Sequence, residues 1–330
     1  MNPSPPVATI RVVALVLCSV LGSGQGRAAD ASYPDHPITI VVPAGAGSGP
    51  DATARRIAAA VGRTLGQPVL VDNRAGAAGI PGTEFAVHAA PDGYTLYLGT
   101  NAAVCINPAL YRRLPYDPVR DLVPISMATR GAPLLLVAPG LPVHTLAEFV
   151  AHAKAHPGQL GYASSGNGST SQLAMELLKH ETGIELLHVP YKEEARAIGD
   201  VIGGQVQATV AFGAVAVAQV EAGRLRALAV AGPQRNPLLP QVPTAAEQGV
   251  PGFSVPGWIG FFAPAGTPRA VLQRLEQAFV AAETAADYAG WVHSLGSEAV
   301  GSSAREFADE LRVDCPRWAA IVHDAGVHVD

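Results

Sequence analysis

The run Pro37-Ile38-Thr39-Ile40-Val41-Val42-Pro43 constrains the fold more than any other stretch of the chain. It is too short for a helix, is apolar apart from one threonine, and is bounded by proline. That is the pattern of a strand buried on both faces of a parallel sheet. A turn of small residues follows, Ala44-Gly45-Ala46-Gly47-Ser48-Gly49-Pro50-Asp51, and then Ile57, Val61 and Leu65 recur at helical spacing before Gly66. The same strand–turn–helix unit returns along the chain. Strands are expected at 68–71, 94–98, 134–138, 160–164, 186–189, 206–212, 225–230 and 258–263. Helices are expected near 83–90, over the Leu146, Phe149, Val150, Ala153 stripe, over Leu173, Leu177 and Leu178, and at 268–282, 286–295 and 304–325. Alternation at this pitch implies an α/β protein with mainly parallel sheets and helices on both faces.

The first 28 residues read as an export leader. Arg11 gives a basic start, the apolar run from Val12 to Leu21 is too short to span a bilayer, and Gly26 and Ala28 are the small residues that signal peptidase requires. Cleavage is expected after Ala28, which places the protein in the periplasm. Roughly 300 residues remain, enough for two domains. The proline-rich stretch from Pro233 to Pro256 reads as a crossing segment between them. The expected division is 29–130 plus 255–330 for a discontinuous first domain and 131–254 for the second. The chain carries 22 Lys and Arg against 27 Asp and Glu, a net charge of −5, and the leader takes away two of the arginines. No basic stripe is present, which argues against a nucleic-acid partner. Cys105 and Cys315 lie outside the leader. In an exported protein they are either joined to each other or are two separate buried thiols, and the sequence leaves both open.

The turns carry the chemistry. Both the 44–51 turn and Ser164-Ser165-Gly166-Asn167-Gly168-Ser169-Thr170 open helices, and a helix N-terminus with its free amides holds a small anion without a basic side chain. Helix capping by Ser48 or Gly49, with Pro50 first in the helix and Asp51 at its positive end, accounts for the first turn equally well and is compatible with ligand binding. A dinucleotide loop is a poorer reading, because the third glycine of that pattern would fall at Pro50. The serine turn lacks the Gly-x-Ser-x-Gly of a nucleophile elbow. His144, His152 and His156 have no acid placed among them as in a zinc-protease motif and lie largely off the apolar stripe, so they read as a solvated face and not as metal ligands. The expectation is capture of a small molecule, with no catalytic residue, metal or cofactor.

The ordered series of motifs resembles the substrate-binding receptors of tripartite tricarboxylate transporters, the Bug (TctC-like) family. It includes Val41-Val42-Pro43 through Asp51, Leu65-Gly66-Gln67-Pro68-Val69, Asp72-Asn73-Arg74-Ala75-Gly76, and Pro91-Asp92-Gly93-Tyr94. It continues with Leu114-Pro115-Tyr116-Asp117-Pro118, His188-Val189-Pro190-Tyr191-Lys192, Gly203-Gly204-Gln205-Val206 and Ala263-Pro264-Ala265-Gly266-Thr267-Pro268. The resemblance implies a two-domain periplasmic-binding-protein fold, type II-like, that closes by a hinge on a small organic acid or amino-acid-like ligand. It implies a monomer that serves a tripartite membrane permease or a sensor kinase. Ala44, Gly47, Ser48 and Asp51 correspond to one binding loop, and Ser165, Asn167, Ser169 and Thr170 to another. Thr100 and Asn101, with Phe212 and Gly213, are expected to complete the site.

Three departures from the family pattern stand out. Ala44 replaces an aromatic residue, which widens the pocket. Gln172 replaces a histidine before Leu173-Ala174. Glu193-Glu194-Ala195-Arg196 follows Tyr191-Lys192 where glycine and then proline are usual. Two acids beside an anion site raise the cost of holding a dianion, so the ligand is expected to be larger, less negative, or to carry an amine. The competing readings are an exported hydrolase with an unrecognised active site and a cytoplasmic dehydrogenase, the latter opposed by the leader.

Overall fold

The computed structural model describes Met1 and residues 33–329. The leader and its cleavage point after Ala28 lie outside the described residues. From the N-terminal side the elements run β1 (Ile38–Val42), α1 (Gly49–Leu65), β2 (Val69–Asn73), α2 (Ile80–Val87), β3 (Thr95–Thr100), a wide turn at Ala102–Ile106, α3 (Asn107–Leu110), α4 (Pro118–Asp121) and β4 (Leu122–Gly131). The middle of the chain forms β5 (Leu134–Val137), α5 (Leu146–Ala155), β6 (Gly161–Ser164), α6 (Thr170–Thr182), β7 (Leu187–Pro190), α7 (Glu194–Ile202), β8 (Ala208–Ala211), α8 (Gly213–Glu221) and β9 (Arg226–Val230). The chain ends with β10 (Gly257–Pro264), α9 (Arg269–Glu283), α10 (Ala286–Ser294), β11 (Glu298–Ala299) and α11 (Ala304–Asp324).

The strands form a six-stranded sheet in the order β11-β4-β10-β3-β1-β2 and a five-stranded sheet in the order β7-β6-β8-β5-β9. The fold is therefore of the two-domain α/β class, with one sheet to each lobe. The pairing is more mixed than strand–helix alternation implies. In the first sheet β1 pairs in parallel with β2 and β3, but β10 runs antiparallel to both β3 and β4, and β11 antiparallel to β4. In the second, β6 is parallel to β7 and β8, while β5 is antiparallel to β8 and β9. The reason lies in the crossings. β4 passes into β5 through Ala132 and Pro133 with no helix between, and the 231–256 segment returns to β10 with only a short turn of helix at Ala246–Gln248. The strand entered from each crossing, β5 or β10, is the one that runs against its sheet neighbours.

β4 is a strand the apolar pattern does not announce, because Pro124, Ser126 and Thr129 interrupt it; proline is accommodated by a register irregularity opposite Phe261 and Phe262. Phe212, expected at the end of a strand, instead stands at the cap position of α8. Trp258 and Trp318 are buried in the core, as is the Phe261–Phe262 pair. Cys105 and Cys315 are joined, Cα atoms 4.4 Å apart and 210 residues apart in sequence. The bond fixes α11 to the wide turn after β3. α11 also sends Arg317 to the carbonyl of Ser254 in the returning crossing, and Asp314 accepts from Trp258 Nε1 at 2.8 Å, so this helix braces the junction of the lobes.

Candidate functional site

Parallel strands that share a sheet present their carboxyl ends on one edge, and ligands of α/β proteins bind outside that edge. Here β1 and β3 bring the turns at 43–48 and 100–101 side by side, and β6 and β8 do the same for 165–169 and 212–213. The two edges meet at the lobe junction. A Cβ built on Gly257, the first residue of β10, would lie 3.1 Å from Phe212 and 3.5 Å from Asn101 Oδ1. A larger residue there would require the Phe212 ring to give way. Gly213, with φ +67°, sits under Leu295, whose carbonyl lies 3.8 Å from the position a Cβ would take. Asn101 is 7% exposed, and its Nδ2 has no hydrogen-bond acceptor among the described residues. A buried donor of this kind is costly unless a ligand or water satisfies it.

The first turn is organised around Asp51. Ser48 caps α1, and its Oγ accepts from the Asp51 amide at a long 3.4 Å. The Asp51 carboxylate is buried and accepts from the Gly47 amide (2.8 Å), from Asn73 Nδ2 (2.9 Å) and from Arg55 Nε (3.1 Å). Arg55, then the Gly47 amide, hold the Asp51 carboxyl down to about 2. Asn73 also donates to the carbonyl of Ala44 at 3.1 Å. The polar groups of Gly47 and Asp51 are thus spent on each other, and both residues act as the frame of the turn. Ala44 stays half-buried, and the exposed backbone of Gly45 and Ala46 forms its open face. Beneath the turn, Gly79 and Gly82 abut Pro43, where a Cβ would lie 2.9 Å and 3.0 Å from proline atoms. Between β2 and Gly79, Ala77 and Ala78 adopt φ of 41° and 54°, a strained conformation for alanine, and Asn107 Nδ2 donates to the Ala78 carbonyl at 2.9 Å. Nothing in the composition of this stretch marks those two alanines.

The serine turn is braced from below by neutral groups. Ser169 caps α6, with its Oγ accepting from the Gln172 amide (3.3 Å) and donating to the Gly166 carbonyl (2.6 Å). Ser165 is exposed; its amide donates to Ser171 Oγ at 3.0 Å, and the two hydroxyls are 3.2 Å apart. Asn167 is exposed, and Thr170, the first residue of α6, is half-buried. Gly168, φ +75°, faces the other lobe's elements: a Cβ there would lie 3.0 Å from both Leu110 and Val329. Thr100 is spent locally, its Oγ1 accepting from the Ala103 amide at 3.3 Å. Among the described residues no hydrogen bond joins the 44–51 turn to the 165–170 turn.

His188, on β7, is the residue that sequence spacing conceals. Its Nε2 is 2.6 Å from Ser164 Oγ, a contact across 24 positions. The arrangement invites comparison with a nucleophile and its base, and the surrounding hydrogen bonds exclude it. Gln172 Oε1 accepts from the Gly168 amide at 2.7 Å, so its NH₂ faces His188 Nδ1 at 3.3 Å. Nδ1 must therefore carry the lone pair, and Nε2 the proton. Nε2–H donates to Ser164 Oγ, which in turn donates to the Gly166 carbonyl at 3.2 Å. An imidazole that donates to a serine hydroxyl cannot deprotonate it. Tyr191 completes the bracing: its amide donates to the Ser164 carbonyl at 2.9 Å and its hydroxyl to Asp200 at 2.8 Å. Glu193 and Glu194 open α7 directly beyond it.

His152 on α5 and His156 at its C-cap make a tilted pair, with ring centroids 4.5 Å apart, and His156 Nδ1 is engaged at 2.9 Å by the carbonyl of His152. A cavity of about 410 Å³ opens beside β4 and β11, between Arg130, Arg235, Asn236 and His293; it holds none of the residues expected in the site.

A family model described as the tripartite tricarboxylate transporter family receptor matches residues 53–327. The chain is 36% identical over 323 residues, 96% of either sequence, to a protein in the tcbD-tcbE intergenic region of Pseudomonas sp. (strain P51). It is 35% identical to the protein BugT of Bordetella pertussis, over 89% of this chain and 91% of that one. Among solved structures it is similar to an R. palustris protein determined with adipate (TM-score 0.79, 33% identity, 90% of this chain and 99% of that one). It is also similar to MatC from Rhodopseudomonas palustris with bound malate (TM-score 0.75, 32% identity, 88% of this chain and all of that one, 100%).

Proposed function

We infer the function from one premise: the chain belongs to the tripartite tricarboxylate transporter receptor family, whose solved members are solute-binding receptors and not enzymes. On that premise it is an exported receptor, with its leader removed after about Ala28, that captures a small carboxylate in the periplasm. The ligand sits at the carboxyl ends of β1, β3, β6 and β8. The open amides of Gly45 and Ala46, the capped N-termini of α1 and α6, and the side chain of Asn101 supply hydrogen bonds to its carboxylate oxygens. Relatives solved with adipate and malate support that class of ligand. The single observation carrying the reading is Asn101, a buried amide with an unpaired donor where the edges of the two lobes meet. Closure is a rotation about the crossings at 131–133 and 231–256, delivering the loaded form to a membrane permease or a sensor kinase.

Glu193 and Glu194, beside the serine turn, favour a ligand that is larger than a simple diacid, less negative, or amine-bearing. Calorimetry on the mature chain tests both levels, with adipate, malate, citrate and glutamate as probes. At least one is expected to bind, with Asn101→Ala weakening it about tenfold or more for the loss of a buried hydrogen bond to a charged group. Ligand at a hundredfold excess over Kd should add about 2.7 kcal/mol to stability. Failure of all four to bind removes the carboxylate reading. Tight citrate binding that Glu193→Gly leaves unchanged removes the charge preference alone.

A further inference from the structure

The hydrogen-bonded chain beneath the serine turn has a polarity, and one member of it, His188, can take up a proton. We propose that His188 and Gln172 are positioning residues that hold the 164–170 turn in its ligand-ready form only while His188 is neutral, so that acid loosens the turn. This rests on the site assignment above for its relevance to ligand, but the brace itself is a property of the unliganded chain.

The order of donors is fixed at each step. The Gly168 amide donates to Gln172 Oε1 (2.7 Å), Gln172 Nε2 donates to His188 Nδ1 (3.3 Å), His188 Nε2 donates to Ser164 Oγ (2.6 Å), and Ser164 Oγ donates to the Gly166 carbonyl (3.2 Å). A proton added to Nδ1 sets an N–H against the NH₂ of Gln172. Gln172 can meet it only by turning its oxygen toward the ring, and its NH₂ then faces the Gly168 amide, donor against donor. One of the two ends of the brace is lost in either case. Gly168 is the residue that packs on Leu110 and Val329, so the loss falls where the serine turn meets the other lobe.

The surroundings do not rescue the cation. The titratable groups facing the ring are Tyr162 on β6, stacked at 4.9 Å between centroids, and the Glu176–Lys179 pair on α6. Glu176 is already committed, accepting from Tyr162 at 2.5 Å and from Lys179 Nζ at 2.7 Å. Burial, with Lys179 adding to it and Glu176 opposing, moves His188 below its ordinary 6.5. The neutral form is thus the folded form's choice. Its contribution is complete above about 6.5 and is lost as pH falls through and below that value.

Amide exchange of the unliganded, full mature chain reads the brace directly, after correction for intrinsic exchange rates. Between about pH 7.5 and pH 5, protection at Gly168 should fall about tenfold, the equivalent of one hydrogen bond's net worth. His188→Gln keeps an N–H within reach of Ser164 but cannot titrate, and should flatten the profile. Gln172→Glu should reverse it, because a carboxylate accepts from the Gly168 amide and from an imidazolium N–H together. The ¹⁵N shifts of the wild-type imidazole supply a readout that needs no variant to fold: a neutral ring protonated on Nε2 is expected. A wild-type profile flat in pH, an unchanged slope in His188→Gln, or a neutral ring protonated on Nδ1 each overturns the proposal. None of these outcomes depends on whether adipate or any other acid binds.

Discussion

The turn after β1 is held by charge, and the turn after β6 by neutral groups. Asp51 draws Gly47, Asn73 and Arg55 onto one buried carboxylate within a span of a few residues and one neighbouring strand. The serine turn instead hangs from a relay of amide, imidazole and hydroxyl that reaches across to β7. Both solutions leave the outward amides of a helix N-terminus unoccupied, which is what an anion site requires. They differ in what disrupts them. A carboxylate held near 2 stays ionised through mild acid, whereas the His188 imidazole, which burial moves below its ordinary 6.5, is the titrating member of the second turn's brace. On the proposal above, the two turns should therefore respond to acid independently.

The comparison can be broken at several points. Reduction of Cys105–Cys315 has the largest expected effect, about 2–5 kcal/mol in urea denaturation. Its local consequence should be lopsided, since the bond anchors the segment leading to Leu110, on which Gly168 leans. Exchange should rise at 165–170 and stay low at 45–51; equal loosening of both turns would show that α11 supports the lobes as a unit. Asp51→Ala removes the buried acceptor shared by the Gly47 amide, Asn73 and Arg55, and should cost about 1–2 kcal/mol, with the first turn as the region that opens. Gly168→Val combines φ +75° with the 3.0 Å approach to Leu110 and Val329, and should cost about 1–3 kcal/mol while leaving the first turn untouched.

Acid sharpens the contrast further. The Asp51 carboxyl lies below its ordinary 3.8, so its contribution is complete above that value and is lost as pH falls through about 2. At about pH 4.5 the 45–51 amides should keep their neutral-pH protection after the serine turn has loosened. Capping gives a smaller difference. Ser169→Ala should cost about 1 kcal/mol, because its Oγ also donates to the Gly166 carbonyl at 2.6 Å, and Ser48→Ala only a few tenths for its long 3.4 Å contact with the Asp51 amide. Opposite in sign is Ala77→Gly. Relief of a left-handed alanine should raise stability by up to about 1 kcal/mol, visible as a small increase in melting temperature.

Much of this molecule was legible because its signals are local. The strand at Ile38–Val42 is announced by its own apolar run, and the cap at Ser48, the left-handed Gly66 that ends α1 and the capped α6 after the serine turn rest on contacts within about four residues. β4 was not legible, because its proline and hydroxyl residues interrupt the apolar run and its place is fixed by β10, more than a hundred residues away. The helices α7 and α8 were equally silent. α7 is short and begins with two glutamates, and α8 is almost uniformly apolar, so it carries no stripe. Asp51 was read as a candidate ligand group, and its spent state depends on Asn73, which only the β1–β2 pairing delivers.

The sequence alone determined the alternation of strand and helix, the positions where the chain turns on glycine, and the kind of turn that leaves amides facing outward. Periodicity and capping need no knowledge of distant chain. Tertiary structure decided which sheet takes which strand and in which sense, that Cys105 meets Cys315, and that His188 stands under Ser164 with its proton on Nε2. Those outcomes depend on register between segments brought together by loop closure. A hydrogen bond's direction depends on every partner in its chain, and no spacing along the sequence encodes that.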